Sequence, residues 1–138
     1  MKLKNLFLIF VTISSFAEEY AVVSNTILDD ISKNQIRAIF LKKLTHLNGI
    51  HLVPVNLASD SFIRKSFEKE LLGMRKKRLK SYWSNQHYLG NRPPVIMKSQ
   101  KSALVFVKNV QGAITYVKVK GLDDSVKVLY RWSDDEKE

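Results

Sequence analysis

Cysteine is absent from this chain of 138 residues, which excludes disulfide frameworks, thiolate metal sites and cysteine nucleophiles together. Glycine and proline are scarce, at five and three residues, so a disordered chain is not expected. Neither Gly-x-Ser-x-Gly nor a P-loop occurs. Carboxylates are few, and the pairs Glu18-Glu19, Asp29-Asp30, Asp123-Asp124 and Asp134-Asp135 fall in predicted loops or at termini. Catalysis is therefore not expected, and no cofactor is implied. His46 and His51 straddle Gly49 without a third ligand nearby and His87 stands apart, so no metal site is expected. What remains, 45% hydrophobic and 26% charged residues, is the profile of a folded globular chain. Its length supports one domain with a real core and not two of ordinary size.

Twenty-three Lys plus Arg against thirteen Asp plus Glu give a net charge of +10, which points to anionic partners. The N-terminus predicts the compartment. Lys2 and Lys4 precede an apolar run at 6–13, and Ser15-Phe16-Ala17 offers small residues where a signal peptidase inspects the chain. A membrane anchor needs about 20 apolar residues, roughly twice this run. Residues 1–17 are expected to be a signal peptide cleaved after Ala17, leaving a domain at 18–132, a solvated tail at 133–138 and a periplasmic or secreted protein. Outside the cytoplasm a basic protein meets phosphate, lipid headgroups and glycans more readily than DNA, so nucleic acid is not an expected partner.

The glycines fall between patterned segments and punctuate them. A β-branched run at 20–24 predicts a first strand. Ser32 is placed to cap a helix whose apolar face is Ile36, Ile39 and Phe40, ending near Lys43. Residues 51–57 predict a buried strand that Pro54 pushes toward a sheet edge or a strand end. Ile63, Phe67 and Leu71 predict a second helix stopped by Gly73. Residues 75–89 predict a third, with Leu79, Tyr82, Trp83 and Gln86 on one side, where the aromatic pair is expected to pack into the core. Asn91-Arg92-Pro93-Pro94 must be extended. Ser99 is placed to cap a fourth helix with Ala103, Phe106, Val107 and Val110 inward, closed by Gly112. Residues 113–119 and 126–132 predict the last strands, the second by alternation of Val126, Val128, Tyr130 and Trp132. Strands alternating with helices predict an α/β fold, a small mixed sheet flanked by helices.

Positive charge is concentrated between 64 and 80, where eight basic residues meet two acids. Arg75, Lys76, Lys77, Arg78 and Lys80 form a candidate surface for a membrane-protein partner or anionic lipid, or a solvated helix face. Just upstream, Ser59-Asp60-Ser61 lies between a strand and a helix, where unpaired backbone N–H groups meet the positive end of the helix dipole. The Ser59 and Ser61 hydroxyls and the amides of Phe62 and Ile63 are candidate donors to an oxyanion. Arg64 could supply a guanidinium fork, and Asp60 could accept the proton of a monoprotonated anion. The plainer reading makes Ser59 or Asp60 a helix cap and leaves Arg64 solvated.

Several spaced blocks carry a family resemblance. They are Ser32…Ile36-Arg37-Ala38-Ile39-Phe40-Leu41, Val53-Pro54-Val55-Asn56, Ser61…Arg64…Phe67-Glu68…Leu71-Leu72-Gly73, Tyr82-Trp83 and Gly112-Ala113-Ile114-Thr115-Tyr116-Val117. In this order the chain resembles the phosphate-type substrate-binding proteins of ABC transporters over roughly 20–119. The resemblance implies a type 2 periplasmic-binding-protein-like fold, reduced to one lobe. It also implies phosphate or a similar small oxyanion as ligand, and an inner-membrane transporter or sensor as partner. At the family's binding turn Ser61 and Arg64 match its Ser and last Arg, whereas Leu57, Phe62 and Ile63 replace Arg, Gly and Thr. The alternative is an envelope interaction module with a degenerate ligand site, touching a membrane peripherally through the basic stretch.

Overall fold

The computed structural model describes residues 17–25, 28 and 30–134, together with residue 9. The expected signal peptide lies outside the described residues apart from Ile9 and Ala17, as does the tail from 135 onward. No helix among the described residues is long and apolar enough to cross a membrane.

In chain order the elements are β1 (Glu18–Ser24), α1 (Lys33–Phe40), β2 (His46–Leu47), β3 (Ile50–His51), β4 (Val53–Leu57), α2 (Phe62–Phe67) continued by a π-helical turn (Glu68–Leu72), α3 (Lys76–Tyr88), β5 (Val95–Met97), α4 (Gln100–Asn109), β6 (Ala113–Lys118) and β7 (Lys127–Asp134). Five strands form one mixed sheet in the order β5-β4-β6-β1-β7, and β2 and β3 make a separate hairpin. Strand β4 runs parallel to β5 and β6, while β1 is antiparallel to β6 and β7.

Local chemistry sets the helix ends. Ser32 and Gln35 form a capping box at α1, and Ser99 with Ser102 forms another at α4. The π turn ends on Gly73, whose left-handed backbone (φ 60°) suits glycine. Gly112 has a different reason: at φ +79° a Cβ would lie 1.9 Å from the His51 carbonyl oxygen, so only glycine lets this turn close against β3.

Pro54 was expected to place its strand toward a sheet edge or itself at a strand end; β4 lies inside the sheet, and Pro54 is its second residue. Successive N–H groups along a strand point to opposite sides, and Val53 donates to the Gly112 carbonyl on the β6 side (2.9 Å). The Pro54 nitrogen therefore faces β5, whose pairing begins one residue later at Val55 opposite Val95, and no ladder hydrogen bond is lost. The last strand also departs from expectation. Val22 pairs Tyr130 and Val23 pairs Val128, so Leu129 is an extra residue in a β-bulge. Val126 and Val128 pack with Val23, Val107 and Val117, whereas Leu129, Tyr130 and Trp132 join the cluster of Val22, Phe67 and Tyr116. The strand also takes in Ser133 and Asp134, opposite Glu19 and Glu18, which were expected to belong to the tail.

Helices cover both faces of the sheet. On one, Phe67 of α2 stacks on Tyr116 of β6 (4.0 Å between ring centroids) and meets Phe40 of α1 edge-on at 4.6 Å. On the other, Val107 of α4 packs with Ala113 and Val117 of β6 and Ala21 and Val23 of β1. The Trp132 indole donates to Ser66 Oγ at 3.0 Å and so ties β7 to α2. This aromatic clamp fixes the helix that opens at the Ser59–Ser61 turn.

Candidate functional site

The parallel strands β4, β5 and β6 end on the same side of the sheet. The chain leaves β4 for α2, on one face, and leaves β5 for α4, on the other. Crevices between adjacent strands whose connections diverge in this way are where open α/β sheets commonly take ligands. The turn at 59–61 and the N-terminus of α2 stand at that end.

Ser61, rather than Ser59 or Asp60, is the N-cap: its Oγ accepts from the Arg64 amide at 3.4 Å. The Ser61 amide itself donates to the Ala58 carbonyl at 2.9 Å. Among the described residues the Phe62 and Ile63 amides donate to no acceptor, so the turn keeps two backbone donors at the positive end of α2. Ser59 and Asp60 are exposed, and Phe62 is 62% exposed with the Lys65 ammonium 5.2 Å from its ring centroid.

Arg64 is not a solvated side chain. Its Nε donates to Glu68 Oε1 at 2.6 Å and its Nη1 to the Leu57 carbonyl at 2.9 Å, and both charged side chains are largely buried. Glu68 thus aims the guanidinium across the end of β4 and offsets part of its charge. Beneath it, the Leu57 amide donates to the Tyr116 hydroxyl (3.1 Å), which donates in turn to Asn56 Oδ1 (2.9 Å). Burial pushes the Tyr116 phenol well above its ordinary value of 10.0, with the Leu57 hydrogen bond and Arg64 pulling the other way. The floor of the turn is therefore a closed hydrogen-bonded set, and the open donors lie above it.

From this turn a groove of about 730 Å³ runs between α2 with its π turn and α3, lined by Ser59, Arg64, Lys65, Glu68, Lys69, Gly73, Met74, Arg75, Lys76, Leu79, Lys80 and Trp83. Six of these side chains are cationic and one is acidic. Lys69 lies 3.6 Å from Glu70 and 3.9 Å from Asp134, but no acid among the described residues pairs with Lys65, Arg75, Lys76 or Lys80. Met74 and Leu79 are buried and, with the partly buried Trp83, give the groove an apolar floor.

The structure brings two sequence-predicted sets together: Ser59 and Arg64 of the turn, and Arg75, Lys76 and Lys80 of the basic stretch, border one groove. Lys77 and Arg78 do not line it and are exposed elsewhere on α3. Glu68, Met74 and Leu79 had not been singled out as site residues. The i,i+4 spacing of Arg64 and Glu68 was the available signal for the first. Trp83, expected in the core, packs against it and also borders the groove. His46 and His51 pair directly across the β2–β3 hairpin with ring centroids 4.9 Å apart. Among the described residues no third ligand joins them.

No protein-family model matches the chain, and no curated protein matches it. Solved structures do. The chain is similar to an ABC-type phosphate transport receptor from Vibrio cholerae, with a TM-score of 0.64 and 19% identity over 83% of this chain and 47% of that one. It is similar to a phosphate ABC transporter substrate-binding protein with bound phosphate from Clostridium perfringens, with a TM-score of 0.66 and 21% identity over 82% and 45% of the two chains. PstS from Borrelia burgdorferi aligns with a TM-score of 0.59 and 11% identity over 82% and 47%. The mixed sheet flanked by helices thus has the periplasmic-binding-protein-like fold. The chain spans about half the length of the solved proteins it matches.

Proposed function

We propose that this protein is an exported, non-catalytic binding protein that holds phosphate or a similar small oxyanion at the turn between β4 and α2. The Phe62 and Ile63 amides and the Ser59 hydroxyl donate to the anion. Arg64, aimed by Glu68, contributes the N–H groups it does not use on Leu57 and Glu68, and Asp60 accepts from a monoprotonated ligand. Ser61 acts chiefly by shaping the turn. An inner-membrane transporter or sensor receives the loaded protein.

The observation that carries this reading is the pair of unpartnered amides at the start of α2, in the same turn as Ser59 and Arg64, which border a groove with six cationic side chains. The fold supports it, because one of the solved structures it matches contains bound phosphate. The test is calorimetric titration of the chain with phosphate and with sulfate, alongside melting curves. A ligand of the folded state must stabilise it, so the melting temperature rises with anion concentration. Arg64→Gln should weaken the affinity by about tenfold, the loss of a charged hydrogen-bonding group. Absence of both heat and thermal shift at millimolar anion would overturn the proposal.

A further inference from the structure

The groove is larger and more varied than an inorganic oxyanion requires. At about 730 Å³ it has the capacity of a site for a small organic molecule. A bare phosphate satisfies the donors at the 59–64 turn and leaves the partly exposed Trp83, above the buried Met74 and Leu79, without a contact. The ring of Trp83 is braced by Tyr82, which meets it edge-on at 4.9 Å and whose hydroxyl donates to the Leu41 carbonyl at 2.7 Å. A ring held in this way offers a fixed platform for stacking. Around the platform, Lys65, Arg75, Lys76 and Lys80 have no acidic partner among the described residues, so the rim favours an anion over a neutral solute.

We infer that the groove takes a soluble phosphomonoester with an aromatic or apolar body. The phosphoryl group is held at the Ser59 to Arg64 turn, and the body lies on Leu79, Met74 and Trp83. The inference rests on the oxyanion reading for the phosphoryl group and goes beyond it in naming the rest of the ligand. Both parts of the groove are needed for this: the cationic rim alone would suit any anion, and the apolar floor alone any small hydrophobe.

The test compares phenyl phosphate with inorganic phosphate on the full chain, by calorimetry and by indole fluorescence. Phenyl phosphate should bind about tenfold more tightly, the scale of one aromatic contact added to its buried area. Trp83→Ala should abolish that preference while leaving inorganic phosphate affinity unchanged, and Trp83→Phe should retain part of it. Lys80→Gln, an exposed change, should weaken phenyl phosphate without unfolding the chain. Equal affinity for the two anions, or a Trp83→Ala effect shared equally by both, would overturn this inference while sparing the oxyanion reading. Loss of both affinities in the unmutated chain would overturn the two together. Binding to phosphatidate vesicles without any response to phenyl phosphate would assign the groove to a lipid surface and also sink the inference.

Discussion

Helices α2 and α3 line the same groove but are held in place by different means. Helix α2 and its π turn bury Ser66, Phe67, Leu71 and Leu72 against the sheet. Phe67 lies among Phe40, Tyr116 and Trp132, and Ser66 accepts the Trp132 indole N–H. Helix α3 is longer, yet Leu79 is its one buried side chain. Beyond it, the Tyr82 hydroxyl on Leu41 and the partly buried Tyr82 and Trp83 rings hold α3 to the body. One wall of the groove is thus built into the core and the other is lightly attached. Regions with little buried apolar area open at a lower free energy than the global unfolding transition, and binding elements are drawn from them. Under the proposed function, the anion is held on the fixed wall and adjustment to ligand size falls to α3.

The largest effect should come from Phe67→Ala. Emptying this fully buried position costs about 3–5 kcal/mol, a large part of a domain's usual stability. Urea denaturation should show the sheet and both helices lost together at a much lower midpoint, and a midpoint near that of the unmutated chain would remove the distinction between the walls. Leu79→Ala should cost about 2 kcal/mol, and locally. Hydrogen exchange should speed up across residues 76–88 while the β4 and β6 amides keep their protection. Equal loss of protection in the sheet would mean that α3 belongs to the core after all.

Tyr116→Phe sharpens the comparison from beneath the fixed wall. It leaves the Leu57 amide without its acceptor, for a cost of about 1–3 kcal/mol. It also changes the alkaline limb of stability. With its folded pKa raised by burial, Tyr116 keeps its proton in the folded state after the unfolded chain begins to lose it near pH 10.0. The folded state then binds more protons than the unfolded one, so this contribution is intact below pH 10.0 and falls as pH rises further. The Phe variant should lose less stability than the unmutated chain between pH 9 and pH 11, measured by urea titration at each pH. An unchanged slope would show that other groups set the alkaline limb.

Much of the frame was legible because short-range chemistry announces it. Ser32 and Ser99 cap the helices they were expected to cap, and the Ile36, Ile39, Phe40 and Ala103, Val107 faces point inward as their spacing demands. The strand order was not legible, and neither was β5, which is three residues long, follows Pro93-Pro94 and exists only through its pairing with β4. The interior position of Pro54 depends on where a neighbouring strand begins, which local sequence does not encode. At the site, the serine turn and the cationic stretch could be read separately. Their convergence on one groove depends on the α2-to-α3 hairpin and could not. Arg64 was expected to be either an anion fork or solvated, and its partial commitment to Leu57 follows from the close approach of helix and strand end.

The extra residue at Leu129 acts as a phase shifter. Under strict alternation Tyr130 and Trp132 would emerge beside α4, and the indole that secures Ser66 would lie on the wrong layer of the molecule. One skipped pairing between β1 and β7 sends both rings to the other layer, so the steadiness of the 59–64 turn is governed by an irregularity at the far edge of the sheet. Excising that single residue would join the Val23–Val128 and Val22–Tyr130 pairs into one regular ladder and keep Trp132 on the α2 side, whereas forcing Leu129 itself into register with Val22 would turn the indole away from Ser66.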